Sequence, residues 1–130
     1  MLKYDEIIEP SAGEGAFSLK IHNCRAYDIV PNEQKHIQEA DWLTLDKSQF
    51  SHNSLVIGNP PFGEQNSLAI RFFNEAATFC KGIGFIVPKS FQKSSIQNRL
   101  NLYFWLEKSI ELPKDAFLFQ GKSYSVPCIF

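Results

Sequence analysis

The sequence predicts an α/β domain built on a mostly parallel sheet that helices cover on both faces. Short apolar runs of strand length alternate with longer amphipathic runs, and glycine, proline or asparagine bounds several of the short runs. Parallel neighbours need crossover helices to bring the chain back to the same edge of the sheet. Ligands of such sheets bind beyond the carboxyl ends of the strands, so the residues that follow each strand are the candidates for a functional site.

Length and composition predict one domain over residues 1–130. The chain is 44% hydrophobic, and a domain near this size buries about two-thirds of its unfolded surface, which suffices without disulfides. Thirteen Lys and Arg against fourteen Asp and Glu argue against a wholly basic duplex-binding surface. A local basic rim stays open, although Lys89, Lys93 and Lys122 are more simply interpreted as solvated lysines.

Metal, disulfide and membrane classes are not favoured by the sequence. The three cysteines are widely separated with no CxxC, and the three histidines have no second ligand at metal-binding spacing. No stretch approaches the roughly eighteen apolar residues of a membrane span, and the first ten residues lack a signal-peptide pattern. We therefore expect a reduced, cytoplasmic protein with no metal site and no membrane partner.

Five strands and two helices are predicted before residue 106. The strands are expected at 5–9, 25–30, 38–42, 54–58 and 84–87. A helix from Ser67 to Cys80 follows from apolar residues at helical spacing, with Gly82 as its stop. A second helix should begin near Ser94, capped by that hydroxyl with Gln97 three residues on, and end near Trp105.

Two late strands are predicted to close the domain as an antiparallel pair. They are expected at 109–112 and 123–130, because the connection at 113–122 is too short for a full crossover. Pro127 cannot donate to a central ladder, so the last strand is expected to start late or to carry a bulge.

A glycine-rich turn follows the first strand in the segment Glu9-Pro10-Ser11-Ala12-Gly13-Glu14-Gly15-Ala16-Phe17. Two glycines permit a tight turn and a close approach of a ligand to the backbone, although such turns also serve as simple connections to a helix. A dinucleotide is disfavoured, because Ser18 only partly satisfies the third small position and Asp28 is closer than the usual spacing of about 20 residues.

Acidic residues end the second and third predicted strands. Asp28 is placed to accept both hydroxyls of a ribose, and the alternative is a solvated turn carboxylate. Asp41 offers an acceptor for an adenine amino group, and Trp42 offers an apolar surface for the ring. The alternative for this pair is a loop cap next to a core tryptophan.

The most specific sequence word is Val56-Ile57-Gly58-Asn59-Pro60-Pro61-Phe62-Gly63, which leaves the fourth strand. The Asn59 side-chain oxygen and the Pro60 carbonyl are each suited to accept one N–H of a planar exocyclic amino group. The two prolines hold those acceptors, and Phe62 can stack on a base removed from its duplex. The alternative is a rigid loop with a core phenylalanine.

These segments together resemble the S-adenosylmethionine-dependent amino-methyltransferases, especially DNA adenine methyltransferases of the NPPF/NPPY type. The resemblance covers nearly the whole chain and implies a Rossmann-like class I methyltransferase fold, a mostly parallel seven-stranded sheet with an antiparallel last strand. It implies catalytic roles for Asn59, Pro60, Pro61 and Phe62. It implies that S-adenosylmethionine is bound by Glu9, Pro10, Ser11, Ala12, Gly13, Gly15, Phe17, Asp28, Ile29, Asp41, Trp42 and Asn59.

The reaction implied is direct methyl transfer to a planar amino nitrogen, with the 6-amino group of adenine in DNA as the expected acceptor. RNA bases and a protein glutamine amide offer the same planar group and stay open as alternatives. No cysteine lies at the motif, which disfavours methylation of a cytosine ring carbon.

Almost nothing precedes the first predicted strand or follows the last one, so we expect no target recognition domain. A protein partner or a missing domain would then supply recognition. Two further interpretations stay open: a cofactor-binding subunit that is inactive without its partner, and the catalytic core of a longer product.

Overall fold

The computed structural model describes residues 4–13, 21, 24–30, 36–101 and 104, together with the late strand segments 109–111, 117–119, 122–124 and 127–129. It has an α/β architecture with five parallel strands, which confirms the predicted fold class. The strands are β1 (Glu6–Glu9), β2 (Cys24–Asp28), β3 (Ile37–Glu39), β4 (Ser54–Gly58) and β5 (Gly82–Ile86). They lie side by side in the order β3-β2-β1-β4-β5, so all five carboxyl ends reach one edge of the sheet.

The late segments extend the sheet beyond β5. They form β6 (Ser109–Glu111), β7 (Phe117–Phe119), β8 (Lys122–Tyr124) and β9 (Pro127–Ile129). β9 pairs antiparallel with β5 on one side and β6 on the other, whereas β7 and β8 form a separate two-stranded sheet. The segment 113–122, predicted as a plain connection, therefore contributes strand residues. The last strand begins at Pro127 and not at Ser123, because a proline without an N–H is tolerated as the first residue of a strand.

Two strands end earlier than the sequence predicted. The Asp28 carboxylate accepts a hydrogen bond from Val30 N at 2.9 Å, which turns the chain after β2 instead of extending the strand to Val30. β3 ends at Glu39, so Asp41 and Trp42 follow the strand and do not belong to it. For the other four parallel strands, the predicted first residue differs from the observed one by one or two residues. The prediction at 54–58 is the one that matches its strand, β4, at both ends.

Helix α1 (Ser67–Ala77) packs an apolar stripe on the sheet. It ends three residues before the predicted Cys80, although Cys80 N still donates to Ala76 O at 3.1 Å in the turn that follows. Gly82 is not the helix stop but the first residue of β5. A Cβ at Gly82 would lie 2.7 Å from the Tyr4 hydroxyl, so close packing accounts for the missing side chain.

The second predicted helix is much shorter than expected. α2 spans only Ser94–Gln97, and its N-cap residue is Lys93, whose side chain makes no capping bond. The predicted capping pair is therefore wrong, and Gln97 Nε2 instead donates to Phe91 O at 2.6 Å. The Asn74 side chain contacts the backbone at residues 99 and 101, which fixes a non-helical turn after α2. The predicted end at Trp105 lies outside the described residues.

Aromatic side chains dominate the core between the sheet and α1. Trp42, Phe50 and Phe79 pack with ring centroids 5.2 to 6.0 Å apart, and all three are buried. The Trp42 indole N–H donates to Phe72 O at 3.2 Å, which ties the segment after β3 to α1.

Within the described part of the chain, no helix combines the length and apolar composition that crossing a bilayer requires.

Candidate functional site

One cavity of about 770 Å³ opens at the carboxyl edge of the sheet, where β1, β2 and β4 end. Eleven of the residues that the sequence analysis assigned to a site line it. They are Glu9, Pro10, Ser11, Ala12, Gly13, Asp28, Ile29, Asp41, Trp42, Asn59 and Pro61. Segments separated by up to about fifty residues in the chain are therefore brought together at one surface.

Two of the described residues that were assigned to the site do not line the cavity. Pro60 is fully buried and Phe62 is half-buried beside the cavity. Gly15 and Phe17 lie outside the described residues, so their assignment stays a prediction. The lining also includes four described residues that were not predicted from the sequence, namely Ala40, Leu43, Leu68 and Phe72. The last two belong to the apolar stripe of α1, and a stripe of that kind indicates burial without distinguishing core from cavity.

The glycine turn is held by the end of β2. Gly13 has φ +58°, in the left-handed region that favours glycine, and its N–H donates to Asp28 Oδ2 at 2.8 Å. Ala12 N donates to Tyr27 O at 2.8 Å, so two bonds join the turn to β2. The other Asp28 oxygen accepts Val30 N. Asp28 is thus a turn carboxylate as well as a cavity residue, and a carboxylate with about four acceptor sites retains capacity for hydroxyl donors.

Glu9 places a buried acid at the end of β1. The residue is 2% exposed and lines the cavity. A Cβ on Gly58 would lie 3.4 Å from Glu9 Cγ, so the glycine that precedes Asn59 leaves room for this side chain. Burial raises the pKa of the Cys24 thiol to about 11, and the negative charge of Glu9 adds to that rise. Cys24, the first residue of β2, therefore stays protonated near neutral pH.

Residues 41–45, which we call the Asp41 turn, contribute Asp41, Trp42 and Leu43 to the wall of the cavity. Asp41 O accepts Leu45 N at 2.9 Å, and Asp41 Oδ1 accepts Leu43 N at 3.1 Å. One carboxylate oxygen of Asp41 is thus engaged within the turn. Trp42 lines the cavity but is only 1% exposed, and its indole N–H is already bonded to Phe72 O. Its ring packs mainly in the core.

The Asn59-Pro60-Pro61-Phe62 motif leaves β4 directly beside the glycine turn. Ser11 Oγ donates to Asn59 O at 3.1 Å, which connects the two segments. Asn59 is exposed, and within the described residues no hydrogen bond engages its side-chain amide. Phe62 O accepts Leu68 N at 3.1 Å, so the motif ends at the first turn of α1.

The chain between the motif and α1 adopts an unusual backbone. Gly63, Gln65 and Asn66 all have positive φ values of 52 to 71°. Asn66 is 8% exposed, and its Nδ2 donates to Ser90 Oγ at 2.8 Å in the loop that follows β5. That loop carries Lys89 and Lys93 on its exposed surface.

Among the described residues, no group of three or more His, Cys, Asp and Glu is placed to hold a metal ion.

An α/β domain with a cavity at the carboxyl ends of its parallel strands belongs to a broad class of ligand-binding folds, which includes methyltransferases. Residues 14–125 match the model of the EDM2 methyltransferase-like domain, and the chain belongs to that family. The match confirms the methyltransferase-like character predicted from the sequence.

A curated relative is Protein ENHANCED DOWNY MILDEW 2 from Arabidopsis thaliana. It is 30% identical to this chain over 99 residues, which cover 73% of the chain and 8% of the relative. The chain thus corresponds to only a small part of that protein's length.

Proposed function

We propose that this domain is an S-adenosylmethionine-dependent methyltransferase that acts on a planar exocyclic amino group, with the 6-amino group of adenine in DNA as the expected acceptor. One observation carries the proposal: the glycine turn at Gly13 and the motif at Asn59 border the same cavity. Methyl transfer needs a sulfonium donor and an amino acceptor within reach of each other, and a shared cavity satisfies that requirement.

The cavity suits the cofactor in size and in the order of its polar groups. Its volume of about 770 Å³ falls within the range of small-molecule sites. The glycine turn would hold the methionine part, Asp28 the ribose hydroxyls and the Asp41 turn the adenine ring. When bound, S-adenosylmethionine supplies an electrophilic methyl group on sulfur. The protein contributes binding, alignment and the exclusion of water.

The acceptor end of the site depends on Asn59. Its exposed side-chain oxygen would accept one N–H of the incoming amino group and orient the nitrogen lone pair toward the methyl group. Pro60 is buried, so its carbonyl would accept the second N–H only after the adjoining motif residues shift. We therefore propose that the motif adjusts when the acceptor enters, with the half-buried Phe62 moving to stack on it.

The proposed fold is the complete class I methyltransferase sheet of seven strands with an antiparallel last strand. The antiparallel pairing of β9 with β5 and β6 supports this assignment. We further propose that nucleic acid is the macromolecular partner and that another domain or chain provides target recognition. The 8% coverage of the Arabidopsis relative supports that second part, because it leaves most of the relative's length for other segments.

Incubation with methyl-labelled S-adenosylmethionine and separate DNA, RNA and protein fractions tests the proposal. Hydrolysis of the labelled polymer then identifies the modified unit, and we expect N6-methyladenine from DNA. Label in RNA or in glutamine would support the same methyl-transfer reaction on a different substrate. Cofactor binding without transfer, relieved only by an added partner chain, would support a cofactor-binding subunit. Failure to bind the cofactor at all would overturn the proposal.

A further inference from the structure

Lys47 lies beside the cavity, and its side chain is more buried and more extensively hydrogen-bonded than that of a typical surface lysine. It begins the short 3₁₀ helix Lys47–Gln49, and its side chain is only 12% exposed. Its Nζ donates to Trp42 O at 2.5 Å, to Leu45 O at 2.8 Å and to Glu75 Oε2 at 3.1 Å. An ammonium group has three N–H donors, so this geometry engages all of them.

Two of these bonds hold the Asp41 turn. The turn is closed by bonds from Thr44 N and Leu45 N to Asp41 O, and the carbonyls of residues 42 and 45 then converge on the Lys47 ammonium. Nζ also lies 4.8 Å from the centroid of the Trp42 ring, within the range of a cation–π contact. Lys47 thus fixes both the backbone of the turn and the ring that packs behind it.

The third bond joins the turn to α1, which also contributes to the cavity wall. Glu75 belongs to α1, the helix that also supplies Leu68 and Phe72 to the lining. The Glu75 side chain is 38% exposed, and partly exposed ion pairs of this kind contribute little by themselves. The two backbone carbonyls are the more important partners, because loss of Lys47 would remove their donor.

We propose that Lys47 is a positioning residue that sets the distance between the Asp41 carboxylate and the adenine ring of the bound cofactor. The inference rests on the proposed function. It explains why a lysine that does not line the cavity is nonetheless bonded to the backbone of its wall. Small displacements matter at such a wall, since a hydrogen-bonding group held about 1 Å too loosely loses much of its selectivity.

The test compares two ligands that differ only at the base, S-adenosylhomocysteine and S-inosylhomocysteine. Calorimetry gives the affinity of each for the wild type, for Lys47→Met and for Lys93→Met, an exposed lysine that serves as the matched control. Lys47→Met should weaken S-adenosylhomocysteine binding at least about tenfold and reduce the preference for the adenine ligand at least about threefold. Lys93→Met should leave both affinities within about twofold.

If the role of Lys47 is purely structural, Lys47→Met will weaken the binding of both ligands equally. Either that result or unchanged binding by Lys47→Met would overturn the inference. If thermal unfolding shows that Lys47→Met is not folded, Lys47→Arg replaces it. A planar guanidinium cannot place three donors as the ammonium does, so a loss of about threefold or more in adenine preference is expected. An unchanged preference in Lys47→Arg would then contradict the inference. Binding of neither ligand by the wild type would instead refute the proposed function, and the inference would fall with it.

Discussion

Asp28 shapes the cavity even without a ligand. Its two carboxylate oxygens accept the N–H groups of Gly13 and Val30; the first bond holds the glycine turn against the end of β2, and the second turns the chain after that strand. Bonds from backbone N–H groups to a carboxylate are stronger than neutral ones, so one side chain both terminates a strand and fixes the neighbouring loop. Loss of this carboxylate should therefore affect ligand binding in two ways, because it removes a contact to the ligand and also releases the glycine turn.

Asp28→Ala is expected to weaken S-adenosylhomocysteine binding about 10- to 100-fold, because hydrogen bonds to a charged group contribute about 1.5–3 kcal/mol. Asp28→Asn is the matched control. Its amide retains one oxygen for the backbone donors but loses the charge, so its affinity should lie between those of the wild type and Asp28→Ala. Calorimetry gives the three values. Equal affinity in all three proteins would show that Asp28 does not contact the cofactor.

Asn59 should separate turnover from cofactor binding. Removal of its amide in Asn59→Ala deletes an acceptor oriented toward the reacting nitrogen, so turnover should fall at least about a hundredfold while cofactor affinity is retained. Asn59→Asp keeps an acceptor oxygen in the same place and should lose less. Initial rates of labelled methyl transfer and calorimetry are measured on the same preparations. Undiminished turnover in Asn59→Ala would exclude the catalytic role.

Cys80 gives the unfolding free energy a dependence on alkaline pH. Burial raises the pKa of its thiol from 9.0 to about 12. The unfolded chain therefore releases this proton at a lower pH than the folded protein does. The stability contributed by the neutral thiol is complete below pH 9 and is lost as the pH rises toward 12.

Urea unfolding of the wild type and Cys80→Ala isolates this effect from other alkaline titrations. The difference in unfolding free energy between the two proteins should be constant below about pH 8 and should shrink between about pH 9 and 10.5, where the unfolded thiol is ionised. A difference that stays constant up to pH 10.5 would mean that Cys80 is accessible to water in the folded protein.

At the scale of elements, the junction between the motif and α1 depends on Gly63. This residue has φ +71°, and a Cβ there would lie 2.9 Å from Leu68 Cγ and 3.0 Å from Leu68 N. The Phe62 carbonyl just before it accepts the first free N–H groups of α1. The positive φ of Gly63 therefore allows the Phe62 carbonyl to accept the N–H groups that begin α1.

Gly63→Ala is expected to lower the unfolding free energy by about 2–4 kcal/mol, the sum of an alanine placed at φ +71° and ψ −176°, a region almost confined to glycine, and an overlap with Leu68. Gly13→Ala is the matched control, since Gly13 also has a positive φ, +58°, but no other described residue outside its chain neighbours lies within 4 Å of its added Cβ. It should cost only about 1–2 kcal/mol. Denaturant titrations measure both. Equal losses in the two variants would indicate that Leu68 moves aside without cost.

β4 is the element that was most accurately predicted from sequence. β4 is bounded on its carboxyl side by Gly58 and the motif, and both of its predicted ends are correct. β2 was predicted too long because its end depends on a side-chain bond from Asp28, which apolar periodicity does not register. α2 was predicted too long because Asn74, over twenty residues earlier in the chain, bonds the backbone that leaves it.

At the scale of the whole molecule, the positions of the candidate site residues follow from topology. Once the fold is parallel, the ends of β1, β2 and β4 must lie at one edge, so the sequence analysis could group Gly13, Asp28 and Asn59 without coordinates. Asp41 and Trp42 were likewise expected at the site from the end of the third predicted strand, whereas the wall that Leu68 and Phe72 of α1 contribute was not predictable in this way. It depends on long-range contacts such as those of Trp42 and Lys47, which have no sequence signature of their own.

A crystal structure of the domain with S-adenosylhomocysteine tests the central claim most directly. The account predicts that the homocysteine part lies against the glycine turn, that the ribose hydroxyls contact Asp28 and that the sulfur faces the Asn59 amide across the shared cavity. Sulfur directed away from Asn59, or ligand bound outside this cavity, would contradict the claim that cofactor and amino acceptor meet at this edge of the sheet.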